Sequence, residues 1–166
     1  SANKLSNTVD FDLIVLGTND IPTFSTSQNT LDYSEGDGAS SLLSNSTITD
    51  GDVTNLNNLI PDQAIVKFIN GYRSNEDKIS IPTSYSAPSG HTASFSSNGD
   101  LTIKDGSGKT VLTSSYDSSI GMLSIQNISG SSFKMSDLKA LLETVVYTNS
   151  SEKPQIEPRT ISVSIS

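Results

Sequence analysis

Short stretches in which every second residue is apolar recur along the whole chain, and clusters of turn residues separate them. In 9–16 the residues Phe11, Leu13 and Val15 share a face, Ile79 and Ile81 do so in 77–82, and Ile161, Val163 and Ile165 do so in 159–166. A side-chain period of two marks a half-buried strand. The run 63–71 is apolar on both faces and reads as a central strand. Further strands are expected at 29–33, 46–49, 121–128 and 143–149. The segment 92–103 reads as a hairpin, because Asn98-Gly99-Asp100 at its tip tolerates positive φ. One helix is expected, with Ser136 as N-cap, Asp137 in the first turn, and Met135, Leu138, Leu141 and Leu142 on one side. It is too short to stand alone and must pack on a sheet. The expected fold is all-β: an antiparallel β-sandwich with one short crossover helix.

Composition supports a thin sandwich. Of the 166 residues only 33% are hydrophobic and 6% aromatic, enough for one domain but low for a multilayer core. The net charge of −8 argues against nucleic acid, whose phosphates need Lys and Arg. Such a surplus of carboxylates fits either cation binding or a solubilising surface. The absence of cysteine excludes disulfides and thiolate zinc sites. No apolar run reaches membrane-spanning length, and no signal peptide is legible. A chain that starts at Ser1 and stops at Ser166 inside a strand-like run reads as part of a longer one.

Several segments, taken in order, resemble a known repeat: GTNDIPTF (17–24), LDYSEGDGAS (31–40), ITDGDVTNL (48–56), FINGYRSNEDKISI (68–81), YDSSIGMLSIQNISG (116–130), SDLKALLETVVYTNSSEKP (136–154) and RTISVSIS (159–166). The chain resembles the cadherin-like (dystroglycan-type) β-sandwich repeats of large bacterial surface adhesins of the repeats-in-toxin kind. The resemblance covers most of 17–166 and implies an immunoglobulin/cadherin-like sandwich at 23–166. It also implies a calcium-type linker at 18–22 and a strand at 1–17 like the end of a preceding repeat. Two departures stand out. Residues 83–115 look like an insertion, and the apolar strand in 1–16 needs a sheet edge to pair with, in this domain or in a neighbouring copy.

By this resemblance the acidic residues gain a role. Pro22 fixes its own φ and biases Ile21 towards extended backbone, which stiffens the joint only in part. A calcium ion between modules would stiffen it further, since Ca²⁺ gathers several oxygen ligands at flexible geometry. Asn19 and Asp20 have the chemistry and place for this. Asp50-Gly51-Asp52 follows Pro22 at a cadherin-like spacing, where Asp50 and Asp52 either hold the ion or form a simple Asp-Gly turn. Glu35, by the same resemblance, serves the joint at the opposite pole, or is a solvated carboxylate. Asp77 is a further candidate ligand, or a strand-start aspartate.

Other motifs point away from catalysis. DGSGKT (105–110) lacks the first glycine of a phosphate loop, because Ile103 stands there, and reads as a hairpin turn. His91 is the only histidine and no Gly-x-Ser-x-Gly elbow accompanies it. The expected role is a calcium-stiffened, non-enzymatic spacer, secreted or on the bacterial cell surface, whose partners are neighbouring repeats. The alternative is a module that binds a peptide or glycan through the 83–115 segment, with Tyr72, Tyr85, His91, Tyr116 and Phe95 as candidate contacts. Neither reading involves nucleic acid or membrane insertion.

Overall fold

Alternation becomes pairing in the computed structural model, which describes residues 6–13, 22–26, 30–50, 55–58 and 60–166. The strands are β1 (Ser6–Leu13), β2 (Thr23–Thr26), β3 (Thr30–Ser34), β4 (Ser40–Ser41), β5 (Ser46–Thr49), β6 (Gln63–Asn70), β7 (Asp77–Ser80), β8 (Thr92–Phe95), β9 (Leu101–Lys104), β10 (Thr110–Asp117), β11 (Met122–Asn127), β12 (Val146–Asn149) and β13 (Arg159–Ile165). A helix, α1 (Met135–Glu143), lies between β11 and β12, and a single 3-10 turn spans Leu56–Asn58. The described residues are therefore all-β with one short helix, and the sheets pack as a curled half-barrel. The largest sheet runs β3-β1-β13-β6-β11-β10-β9-β8, a second joins β4-β12-β7, and β2 pairs with β5.

β6 is central, with β11 on one side and β13 on the other. Its two apolar faces are not both buried, however. Ala64, Val66 and Phe68 point into the core while Lys67 and Ile69 are exposed. In β13 the alternation holds, and Ile161, Val163 and Ile165 are buried. Burying each such side chain contributes roughly 1.5–3 kcal/mol.

β1 finds its partners within this chain. It runs parallel to β13, with Phe11 opposite Ile161, and antiparallel to β3, with Thr8 opposite Asp32. It thus lies between two strands rather than on an edge. Residues 83–115 continue the same sheet outward: β10 pairs with β11, β9 with β10, and β8 with β9. The hairpin tip forms as its residues dictate. Gly99 has φ +84, and the Ser96 hydroxyl accepts the N–H groups of Asn98 and Asp100. The 105–108 turn joins β9 to β10, with the Asp105 carboxylate accepting from Ser107 and Lys109.

The helix starts two residues earlier than its cap pattern predicts. Lys134 is the N-cap, and its N–H is bonded by the Asp137 carboxylate at 2.9 Å. An acidic residue at N3 that reaches back to the cap replaces the expected serine cap. Ser136, inside the helix, instead bonds Asn57. Met135, Leu138, Leu141 and Leu142 are buried, as their spacing requires.

The strand directions define two ends. One gathers Asn70, Asp77, Asn149 and Arg159. The other gathers Asp62, Asn127 and the start of α1, linked through Asn127 to Pro61 and Phe133.

Candidate functional site

Arg159 opens β13 in the same inward phase as Ile161, and its whole side chain is buried. A buried guanidinium needs every N–H satisfied. Nε donates to Asp77 at 3.0 Å, Nη2 to Glu76 at 3.1 Å, and Nη1 to the carbonyls of Gln155 and Glu157. Asp77 is equally engaged. Its Oδ1 accepts from the Tyr147 hydroxyl at 2.7 Å and from Asn149, and its Oδ2 also accepts the Arg73 N–H. The carboxylate proposed from sequence as a calcium ligand is thus the counter-ion of Arg159, with both oxygens turned to protein donors. Together these bonds tie β7, β12 and β13 to the 73–76 and 155–157 loops.

Above this knot lies a groove of about 520 Å³ between β7, the hairpin tip and the end of β10. Glu76, Lys78, Asn98, Asp100, Tyr116 and Ser118 contribute to its walls. A narrower extension of about 200 Å³ follows β7 to Pro82 and shares Lys78, Asn98, Asp100 and Tyr116. Tyr116 is fixed by its hydroxyl. Tyr72 donates to the Ser118 carbonyl at 2.7 Å and so has no proton left for Tyr116; the 3.3 Å contact between the phenols therefore runs from Tyr116 to Tyr72. Burial first, then the bond to Tyr72, pushes the Tyr116 phenol well above the ordinary tyrosine range. The Ile79 backbone amide beside it acts in the opposite sense on its titration. Tyr72 stacks on Phe68 with ring centroids 4.8 Å apart.

The other aromatic candidates lie at the opposite end. Tyr85 is half-buried beside the start of α1, and burial together with the Asp137 charge pushes it up to about 12. His91 Nδ1 is bonded to the Ser89 carbonyl at 3.2 Å, so Nε2 is the acceptor for the Ser132 hydroxyl at 2.8 Å. The ring rests edge-on against Phe133. Of the five proposed ligand contacts, only Tyr72 and Tyr116 bond one another; Phe95 ends β8 and does not line the groove.

The joint candidates divide. Asn19, Asp20 and Asp52 lie outside the described residues. The β2–β5 register pairs Thr23 with Thr49, which sets Pro22 and Asp50 at the same end of that ribbon. Five residues beyond Asp50, segment 55–58 reaches the start of α1 through Asn57. Glu35 follows β3 at the Arg159 end, where the neighbouring Tyr33 hydroxyl accepts the Asn149 N–H. Asp50 and Glu35 therefore sit towards different ends. Among the described residues no three Asp, Glu or His side chains converge on one point, and no helix is long and apolar enough to cross a membrane.

No protein-family model matches the chain, and no curated protein or solved structure matches it.

Glu76, Lys78, Asn98 and Asp100 were not singled out by sequence as site residues, nor was Arg159. For Arg159 a signal existed: it and Asp77 both occupy the inward phase of their strands, and two inward opposite charges need each other. The groove had none, because it forms where a turn, a hairpin tip and a strand from two sheets meet.

Proposed function

We propose that this chain is a module of a calcium-stiffened spacer in a bacterial cell-surface adhesin, built as an immunoglobulin/cadherin-like sandwich and joined to neighbouring repeats. The observation that supports it is the pairing of Thr23 with Thr49. That register sets the linker proline, Pro22, beside Asp50 at one end of the ribbon, and in sequence Asn19 and Asp20 adjoin the first and Asp52 the second. Calcium takes six to eight oxygens, and a joint supplies them from both modules. Glu35, at the Arg159 end, has the chemistry to serve another joint. The role is mechanical rather than catalytic, and its place is outside the cell.

Thermal melting in calcium against chelator tests this reading. A ligand that binds only the folded state raises the melting temperature by mass action. Calcium is expected to raise it, and Asp50→Asn with Asp52→Asn to remove most of the rise. A melting temperature indifferent to calcium, in this chain and in a longer one carrying the adjoining modules, sinks the proposal.

The groove favours a second reading. Segment 83–115 supplies Asn98 and Asp100 to a concave polar surface, which suits a ligand-binding module of the same adhesin.

A further inference from the structure

We infer that the groove between β7 and the β8–β9 hairpin tip binds a neutral oligosaccharide, with Tyr116 as its apolar floor and Glu76, Lys78, Asn98 and Asp100 as its hydrogen-bonding walls. The inference deepens the ligand-binding reading and rests on it, and it is independent of the calcium joint.

The shape is the first reason. About 520 Å³ lies within the usual range of small-ligand sites. A second cavity along β7 shares four lining residues with it, so space for a further ring adjoins the groove.

The second reason is the state of Tyr116. Its hydroxyl is engaged by Tyr72, so the ring is held in place and its body is what a ligand meets. An aromatic surface fixed beforehand costs little ordering entropy on binding. A pyranose presents the matching surface: an apolar C–H face with hydroxyls around its rim.

The third reason is the mixture of polar groups. Glu76 Oε2 accepts from Arg159, Gln155 and Asn149, while no protein donor among the described residues reaches Oε1. Asp100 contributes a carboxylate to the wall, Lys78 an ammonium and Asn98 an amide. Acceptor-only, donor-only and two-way groups thus stand side by side. Adjacent sugar hydroxyls, each both donor and acceptor, satisfy such a set. Charge points the same way. Arg159 and Lys78 offset two of the three carboxylates Glu76, Asp77 and Asp100, and the one in excess is too little charge to make the groove a strong ion site.

The test is an NMR titration of the ¹⁵N-labelled full chain in chelator with maltose, cellobiose and lactose, and in parallel with a lysine tripeptide. At least one sugar is expected to shift amides in 74–78, 98–100, 116–118 and 148–150 at millimolar concentration. Asn98→Ala with Asp100→Asn, both at an exposed turn, is expected to weaken that binding about tenfold or more without changing the melting temperature. The inference is overturned if none of the three sugars shifts these amides, if the shifts fall elsewhere, if the tripeptide occupies the groove more tightly than any sugar, or if the double variant binds as the parent does. Because the titration excludes calcium, its failure and failure of the joint are read separately.

Discussion

Arg159 and Asp77 form an ion pair that is wholly removed from solvent: Nε lies 3.0 Å from Oδ2, and both side chains are 0% exposed. Breaking such a pair from one side leaves a buried charge without its partner, at about 3–5 kcal/mol. Asp77→Ala and Arg159→Ala are each expected to lose that much in denaturant unfolding. The double variant is expected to cost well below their sum, because the two act as a unit. Strict additivity would show that the pair is not coupled.

Gly121 joins β10 to β11 at φ +66, and a Cβ there would lie 2.6 Å from the Phe68 ring and 2.7 Å from the Tyr72 ring. Gly99 has a similar φ, +84, but open space around it. Gly121→Ala combines backbone strain with overpacking and is expected to cost about 2–4 kcal/mol. Gly99→Ala carries the backbone strain alone, about 1–2 kcal/mol. Equal losses in urea unfolding would contradict the crowding assigned to Gly121.

Asp137, rather than Ser136, bonds the orphan N–H at the start of α1. Asp137→Ala is therefore expected to lower stability by about 1 kcal/mol. Ser136→Ala, which removes only an exposed bond to Asn57, is expected to lose less. The two melting temperatures decide it: a larger loss for Ser136→Ala would restore serine as the cap.

Tyr85 and Tyr116 both hold their phenolic protons more tightly in the fold than the ordinary value of 10.0, Tyr85 up to about 12 and Tyr116 higher, burial being the leading cause for each. Above pH 10 the unfolded chain releases protons that the native chain keeps, so alkali favours unfolding. Their contribution is complete below pH 10 and is lost as pH rises through the folded values. Unfolding free energy is expected to fall across that range, less steeply in Tyr85→Phe and Tyr116→Phe. Tyrosinate absorbance in the folded protein should show Tyr85 ionising near 12; ionisation of every tyrosine near 10 would refute this.

Much of the strand pattern was legible because it rests on neighbours in the chain. β13 buries Ile161, Val163 and Ile165, and β7 with the residue after it buries Ile79 and Ile81, as their alternation predicts, and α1 buries the four residues its spacing selects. The cap of α1 was misread by two residues, since Ser136 and Asp137 each fit a capping pattern and only the backbone path chooses. The proposed joint rests on the sequence chemistry of Asn19, Asp20, Asp50 and Asp52, and to it the fold contributes only the register that sets Pro22 beside Asp50. Tyr72, Tyr85, His91 and Tyr116 were grouped as aromatic candidates, and the fold joins only Tyr72 to Tyr116, with Tyr85 beside Asp137 and His91 against Phe133.

By itself the sequence determined most of the segments that become strands, though not β2, β4 or β10, and the apolar face of those that alternate, because these follow from side-chain period and local backbone preference. Only the tertiary structure decided that Asp77 answers Arg159 across 82 positions, that β1 runs beside β13, and that a hairpin tip meets the edge of β7 to form a groove. Such contacts depend on which surfaces exclude water together, and that is settled by the packing of the whole chain rather than by any stretch of it.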